Sequence, residues 1–193
     1  METLKGLKLD VNRIILELFI PGIFSVLPLF FLFINKFPAA REYFSQSEGM
    51  ASLTLFIISL TAGLILEDLG SLFEAHVLDT VNLKKYPNHF KEWEEYLELN
   101  IPKESELVAQ RYLRTILLRM KFEMSFAFSL IIMIVGLTIL QVEIRFCESS
   151  CSFLIWGIAL PFIITIFLLG ESKSSSVLLI KTRRKIINTK TEK

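Results

Sequence analysis

Apolar positions along this chain are clumped rather than scattered. Four near-continuous apolar stretches occupy 14–34, 50–66, 125–144 and 152–170, with lengths of 21, 17, 20 and 19 residues. At a rise of about 1.5 Å per residue they reach roughly 25–32 Å, close to the ~30 Å thickness of a bilayer's hydrocarbon core. Each predicts a membrane-spanning helix, because a backbone in lipid has no water to satisfy its amides. The first stretch is too long for the apolar region of a cleaved signal peptide. Phe37-Pro38-Ala39 also lacks the small-x-small pattern of a cleavage site, so the stretch reads as a retained anchor.

Helical spacing continues into the polar segment 67–124. Leu66, Leu69, Leu72, Phe73, Val77 and Val81 recur at intervals of three and four, which extends the second apolar helix to about residue 82. The cluster Lys84-Lys85-Tyr86-Pro87-Asn88 ends it. In FKEWEEYLEL the stripe Phe90, Trp93 and Leu97, with Tyr96 beside it, predicts a short amphipathic helix that stops at Asn100-Ile101-Pro102. Leu107, Leu113, Ile116, Leu117 and Met120 then predict the buried face of a helix running unbroken from about Lys103 to Ile144, some 63 Å long. The expected fold is all-α: an integral membrane four-helix bundle whose second and third spans leave the bilayer as an antiparallel cytosolic helical hairpin. The chain divides into 1–66 (tail and spans one and two), 67–124 (hairpin), 125–170 (spans three and four) and 171–193 (basic tail). A hairpin of 58 residues buries too little surface to stand alone, so its apolar faces need each other, another subunit or a partner.

Composition agrees with this reading. The 193 residues are 52% hydrophobic with a net charge of +1, and the mean hydropathy is +0.52, which excludes a disordered chain. Charge placement sets orientation. Lys and Arg number three before the first span, two in 35–49, eight in 67–124, one in 145–151 and seven in 171–193. With both termini cytoplasmic, 18 lie inside and three outside, as the positive-inside rule requires. The expected location is a bacterial inner membrane. Cys147 and Cys151 then share the outer loop RFCESSC on the oxidising face, either as a disulfide across a tight turn or as two neighbouring thiols. Two sulfurs with no nearby His are too few for zinc.

Other candidate residues are sparse. Lys181, Arg183, Arg184 and Lys185 form a basic cluster in the tail, either an amphipathic helix on the anionic inner leaflet or an ordinary positive-inside anchor. Four basic residues are not a nucleic-acid footprint, and no direct nucleic-acid partner is expected. Glu17 is an acid one turn inside the first span, where function or pairing with Arg13 are both open readings. No charge occupies the midplane of any span, which argues against a proton-coupled transporter. Pro21-Gly22, Pro28 and Pro161 interrupt their helices and shape packing. Ser59-x3-Gly63 and Ser125-x3-Ser129 allow close helix approach. Glu67, Asp68, Glu74, Asp79 and His76 form no HExxH, no ordered carboxylate set and no phosphate loop. No enzyme, metal or cofactor is expected.

The layout of four spans, both ends inside and a charged helical hairpin (LEDLGSLFE, EWEEYL, RYLRTILLRMKFEM) resembles the small four-span membrane subunits of bacterial antiphage defence systems, such as that of Kiwa. The resemblance implies a membrane oligomer that holds a cytosolic effector and responds to an event at the envelope. The expected function is therefore a non-enzymatic sensor or scaffold in the lipid bilayer. It is expected to be a homo-oligomer, with a tetramer as the working number, and to dock a cytosolic protein through Phe90, Trp93, Tyr96, Leu97, Glu94 and Glu95. The alternatives are a pore-forming or depolarising effector and, third, a small-solute transporter.

Overall fold

A computed structural model describes residues 14–98, 108–144 and 153–191, and among them the chain is helical with no strand. A π-helical turn, Ile14–Phe19, leads into α1 (Ile20–Lys36). Then come α2 (Pro38–Gln46) and α3 (Glu48–Phe73). A second π turn, Glu74–Leu78, joins α3 without a break to α4 (Asp79–Lys85). α5 (His89–Glu98) and α6 (Val108–Ile144) follow. A third π turn, Phe153–Ala159, opens α7 (Leu160–Thr191). Four of these helical runs are long and apolar enough to cross a membrane: Glu17–Lys36, Gly49–Lys85, Gln110–Glu143 and Ile155–Asn188.

Two breaks have the same local cause. Phe37 and Tyr86 each precede a proline, whose ring excludes the helical conformation from the residue before it. Both leave the helical region, at φ −117° and −134°. Pro38 then opens α2, a short helix in the first connection that the sequence reading did not anticipate, since proline suits the first helical position. Pro21 and Pro161 sit just after π turns, where the widened ladder accommodates the N–H that proline lacks.

α1 and α3 cross with backbones in contact. A Cβ added to Gly22 would lie 1.8 Å from the Ser59 carbonyl oxygen, and one on Gly63 would lie 2.1 Å from that of Leu18. The Ser59-x3-Gly63 spacing thus seats α3 on α1 within one chain. α6 takes the other side of α1. Pro28 fills the notch at Gly136, and buried Ser129 donates through Oγ to the Pro21 carbonyl at 2.5 Å. α7 packs along α6 and, at its polar end, on α5, while α1 and α3 touch it marginally at most. The four apolar helices therefore form a trio of α1, α3 and α6 with α7 leaning on α6.

The segment 67–85 departs from the antiparallel hairpin. In such a hairpin, partners on α6 must fall in number as α3 advances. Instead Glu67 pairs with Lys121 (3.2 Å), Gly70 lies against Met124 and Ser125, and the Phe73 ring meets Phe128 (5.6 Å). Twelve residues beyond Gly70, about 18 Å of helix, buried Asn82 donates to Ser176 Oγ on α7 at 2.7 Å. Ser176 is next to Ser175, which itself donates to Glu123. The segment thus crosses α6 steeply at Gly70 and ends on α7 at the same height. The basic tail is also no separate element: residues 171–191 continue α7 without a break.

Candidate functional site

The polar ends of α6 and α7 meet the crossing segment and α5 around a small core of Leu78, Leu113, Ile116, Met120, Met124, Leu179 and Ile186. Its base is knotted by charge. Buried Glu123 accepts from Arg119 Nε at 2.6 Å and from Ser175, and Arg119 Nη2 reaches Glu171 at 2.6 Å. The hydrogen bond and charge of Glu123, followed by Glu171, hold the Arg119 guanidinium more firmly protonated than usual.

Above this knot lies a cavity of about 270 Å³ lined by Glu74, Asp79, His89, Trp93, Leu117 and Arg183 among others. Each group arrives by a different route. The π turn and α4 supply the two acids, α5 supplies His89 and Trp93, and α7 supplies Arg183. His89 is 4% exposed. Its Nδ1 lies 3.2 Å from the Tyr86 carbonyl and Nε2 is 3.9 Å from Asp79 Oδ1. With Nδ1 assigned as the donor, Nε2 faces Asp79 with a lone pair when neutral and with a proton when charged. Burial pushes the Glu74 carboxyl up, and the charge of Asp79 adds to it. Asp79 is also pushed up by burial, against the pull of His89 and Arg183. Burial lowers the Arg183 guanidinium, opposed by Glu92 and Asp79. Among the described residues, no group of three His, Cys, Asp or Glu is placed to hold a metal ion.

The residues singled out from sequence separate into distinct settings. Trp93 is capped by the Arg183 guanidinium, 4.5 Å from the ring centre, and stacks on Tyr96, which packs against the core. Phe90 and Leu97 are exposed, at 51% and 63%, and Glu94 and Glu95 lie exposed on the same short helix. Of the basic cluster, Arg183 donates to the His89 carbonyl at 3.3 Å. Arg184 donates twice to Glu92 Oε1, at 2.9 and 2.6 Å, so both are engaged with α5. Lys181 and Lys185 point outward. Glu17 is buried in the first π turn, at 8% exposure. Cys147, Cys151 and Arg13 lie outside the described residues.

Sequence reasoning missed the partnership of His89, Asp79 and Glu74 with Arg183. The available signal was the pair of acids Glu74 and Asp79 set on either side of Leu78, which puts carboxylates beside a buried residue. Comparison with known proteins gives no match: no family model, no curated protein and no solved structure is similar to the chain.

Proposed function

We propose that the four apolar helices cross a bacterial inner membrane with the polar end and both chain ends on the cytoplasmic side. The protein is then a non-enzymatic, self-associating scaffold or sensor that docks a cytosolic effector protein. The observation that carries this reading is continuity. α6 and α7 each run without interruption from an apolar end to a polar end, where they carry α5 with Phe90, Leu97, Glu94 and Glu95 uncovered. A rigid rod that joins lipid to an exposed apolar and acidic face suits a relay. The excess of Lys and Arg at the polar end supports the orientation. Phe162, Ile163, Ile166 and Phe167 are exposed along α7, a surface for lipid or for a second copy. The tetramer and the antiphage setting are drawn from the layout resemblance.

A photo-cross-linking residue in place of Leu97, in the full chain in its native membrane, tests docking. The expected result is a light-dependent adduct with one defined cytosolic protein that disappears when Glu94 and Glu95 are changed to Lys. Adducts with copies of the chain alone would overturn the docking reading. Purified protein in dye-loaded vesicles separates this from the pore alternative: a scaffold leaves them sealed, and rapid leakage would favour the pore.

A further inference from the structure

We infer that residues 67–85 form an in-plane helix whose apolar flank, Leu69, Val77 and Val81, rests on the acyl chains of the cytoplasmic leaflet. The inference builds on the membrane-crossing reading above and adds a lipid contact to a segment whose composition alone assigns it to the cytosol.

α6 serves as a depth ruler. Arg119, Lys121 and Glu123 are the last charges before an uncharged run that lasts to Glu143. The boundary between water and hydrocarbon therefore falls near Glu123–Ser125, since a charge deeper in lipid costs several kcal/mol. Gly70 crosses α6 at Met124 and Ser125, on that boundary. At the far end of the segment, Asn82 meets Ser176 beside the Ser175–Glu123 contact, again on the boundary. A segment whose two ends stand at one depth lies along the surface, which requires the helix to bend between the Ser59–Gly63 crossing and the Gly70-Ser71 pair.

Its flanks then have fixed surroundings. Phe73 reaches Phe128, a turn deeper in α6 than Gly70's contact, and also packs against the core that holds Met124, so that flank is the one nearer the bilayer. Glu74 and Asp79 line the cavity with Leu113, Leu117 and Arg183, all farther from the bilayer, so the opposite flank looks into water. Leu69, Phe73, Val77 and Val81 recur every four residues, and the wider π turn at Glu74–Leu78 offsets the drift of that spacing in an α-helix. Leu69, Val77 and Val81 are 40%, 41% and 44% exposed. They continue the outward surface of Ile57, Ile58 and Ile65 on the same helix. Three outward polar groups along the run turn back on their own backbone, Thr61 to Ile57, His76 Nδ1 to Leu72 and Thr80 to His76, while exposed Asp68 marks the end of the segment nearest the crossing span. Such back-bonding is how hydroxyl and ring groups are satisfied beside lipid. Exposed Lys84 and Lys85 close the segment where headgroup phosphates lie.

Spin labels on single cysteines, in a chain carrying Cys147→Ser and Cys151→Ser and reconstituted in vesicles of phosphatidylethanolamine and phosphatidylglycerol, test this. Labels on Leu69→Cys, Val77→Cys and Val81→Cys are expected to collide with oxygen more than with a water-soluble nickel chelate. Labels on Ala75→Cys and Glu94→Cys should show the reverse, and Ile57→Cys reports the membrane-crossing part. If positions 77 and 81 behave like 94 while 57 remains in lipid, the in-plane helix is wrong and the crossing reading stands. If 57 is also in water, the crossing reading itself fails.

Discussion

The Arg183 guanidinium lies over Trp93, its carbon 4.5 Å from the ring centre. This joins the basic tail to the aromatic helix, two segments far apart in sequence. The contact is half-buried and the same Arg donates to the His89 carbonyl, so its loss removes stacking and a hydrogen bond together. Arg183→Ala is expected to loosen α5 by about 1–2 kcal/mol, the upper range for a partly desolvated cation–π pair. Trp93 fluorescence in a Trp156→Phe background would move to longer wavelength and melt earlier. Arg183→Lys should recover part of the loss, because a point charge cannot stack as a planar fork does. An unchanged spectrum in Arg183→Ala would refute the contact.

Arg184 and Glu92 give a second, weaker fastening. Both hydrogen bonds go to one carboxylate oxygen, and the Arg side chain is 45% exposed. Such a pair contributes about 0.2–1 kcal/mol. A double-mutant cycle with Arg184→Ala and Glu92→Ala, followed by thermal melting in detergent, is expected to show coupling in that range that shrinks in high salt. Zero coupling at low salt would mean that the pair holds nothing.

The glycine crossing sets a test with opposite signs at different sites. Gly22→Ala puts a methyl group into the Ser59 carbonyl, and forcing the helices apart should cost about 1–3 kcal/mol. Gly170→Ala, on an exposed helical site with nothing within 4 Å, should gain about 0.5–1 kcal/mol from reduced backbone freedom in the unfolded chain. Melting of the two variants in one detergent compares them directly. Equal shifts would remove the argument for backbone contact.

Acidity should act on the cavity in a defined direction. Glu74 and Asp79 are both pushed above the ordinary carboxylate range, chiefly by burial. A group raised in the folded state binds its proton more tightly there than in the unfolded chain. The stability it adds is present below the ordinary range and is lost as pH rises through the raised value. The contribution of Glu74 and Asp79 should therefore be largest in acid and fall as pH rises through their raised values. Glu74→Gln, which cannot ionise, should flatten that slope and raise neutral-pH stability. A slope identical to that of the parent chain would exclude Glu74 as its source.

Much of the helix content was legible because period and punctuation are local. The run of Leu69, Leu72, Phe73, Val77 and Val81 announced that the second apolar helix continues, and Tyr86-Pro87 announced its end. Phe37-Pro38 carried the same signal and went unused as a helix start, so α2 was missed. Direction was harder. Gly70 fits Met124 and Asn82 fits Ser176 through packing between segments distant in the chain, which no single-segment pattern encodes, so the crossing looked like a hairpin. The Ser59-x3-Gly63 spacing was readable as a close approach. Its partner Gly22 was not, because beside Pro21 it looked like an interruption. Phe90, Trp93 and Leu97 were readable as an apolar stripe with Tyr96 beside it, yet only the placement of α7 shows that Arg183 covers Trp93 while Phe90 and Leu97 stay open.

Two upright posts side by side shear easily, whereas a diagonal nailed to both turns the frame into a truss. The stretch from Gly70 on α6 to Asn82 on α7 is such a diagonal, and its far nail is one amide buried against one hydroxyl. Pulling that nail would slacken the diagonal and leave the Arg119–Glu171 and Ser175–Glu123 ties to keep the two posts in register.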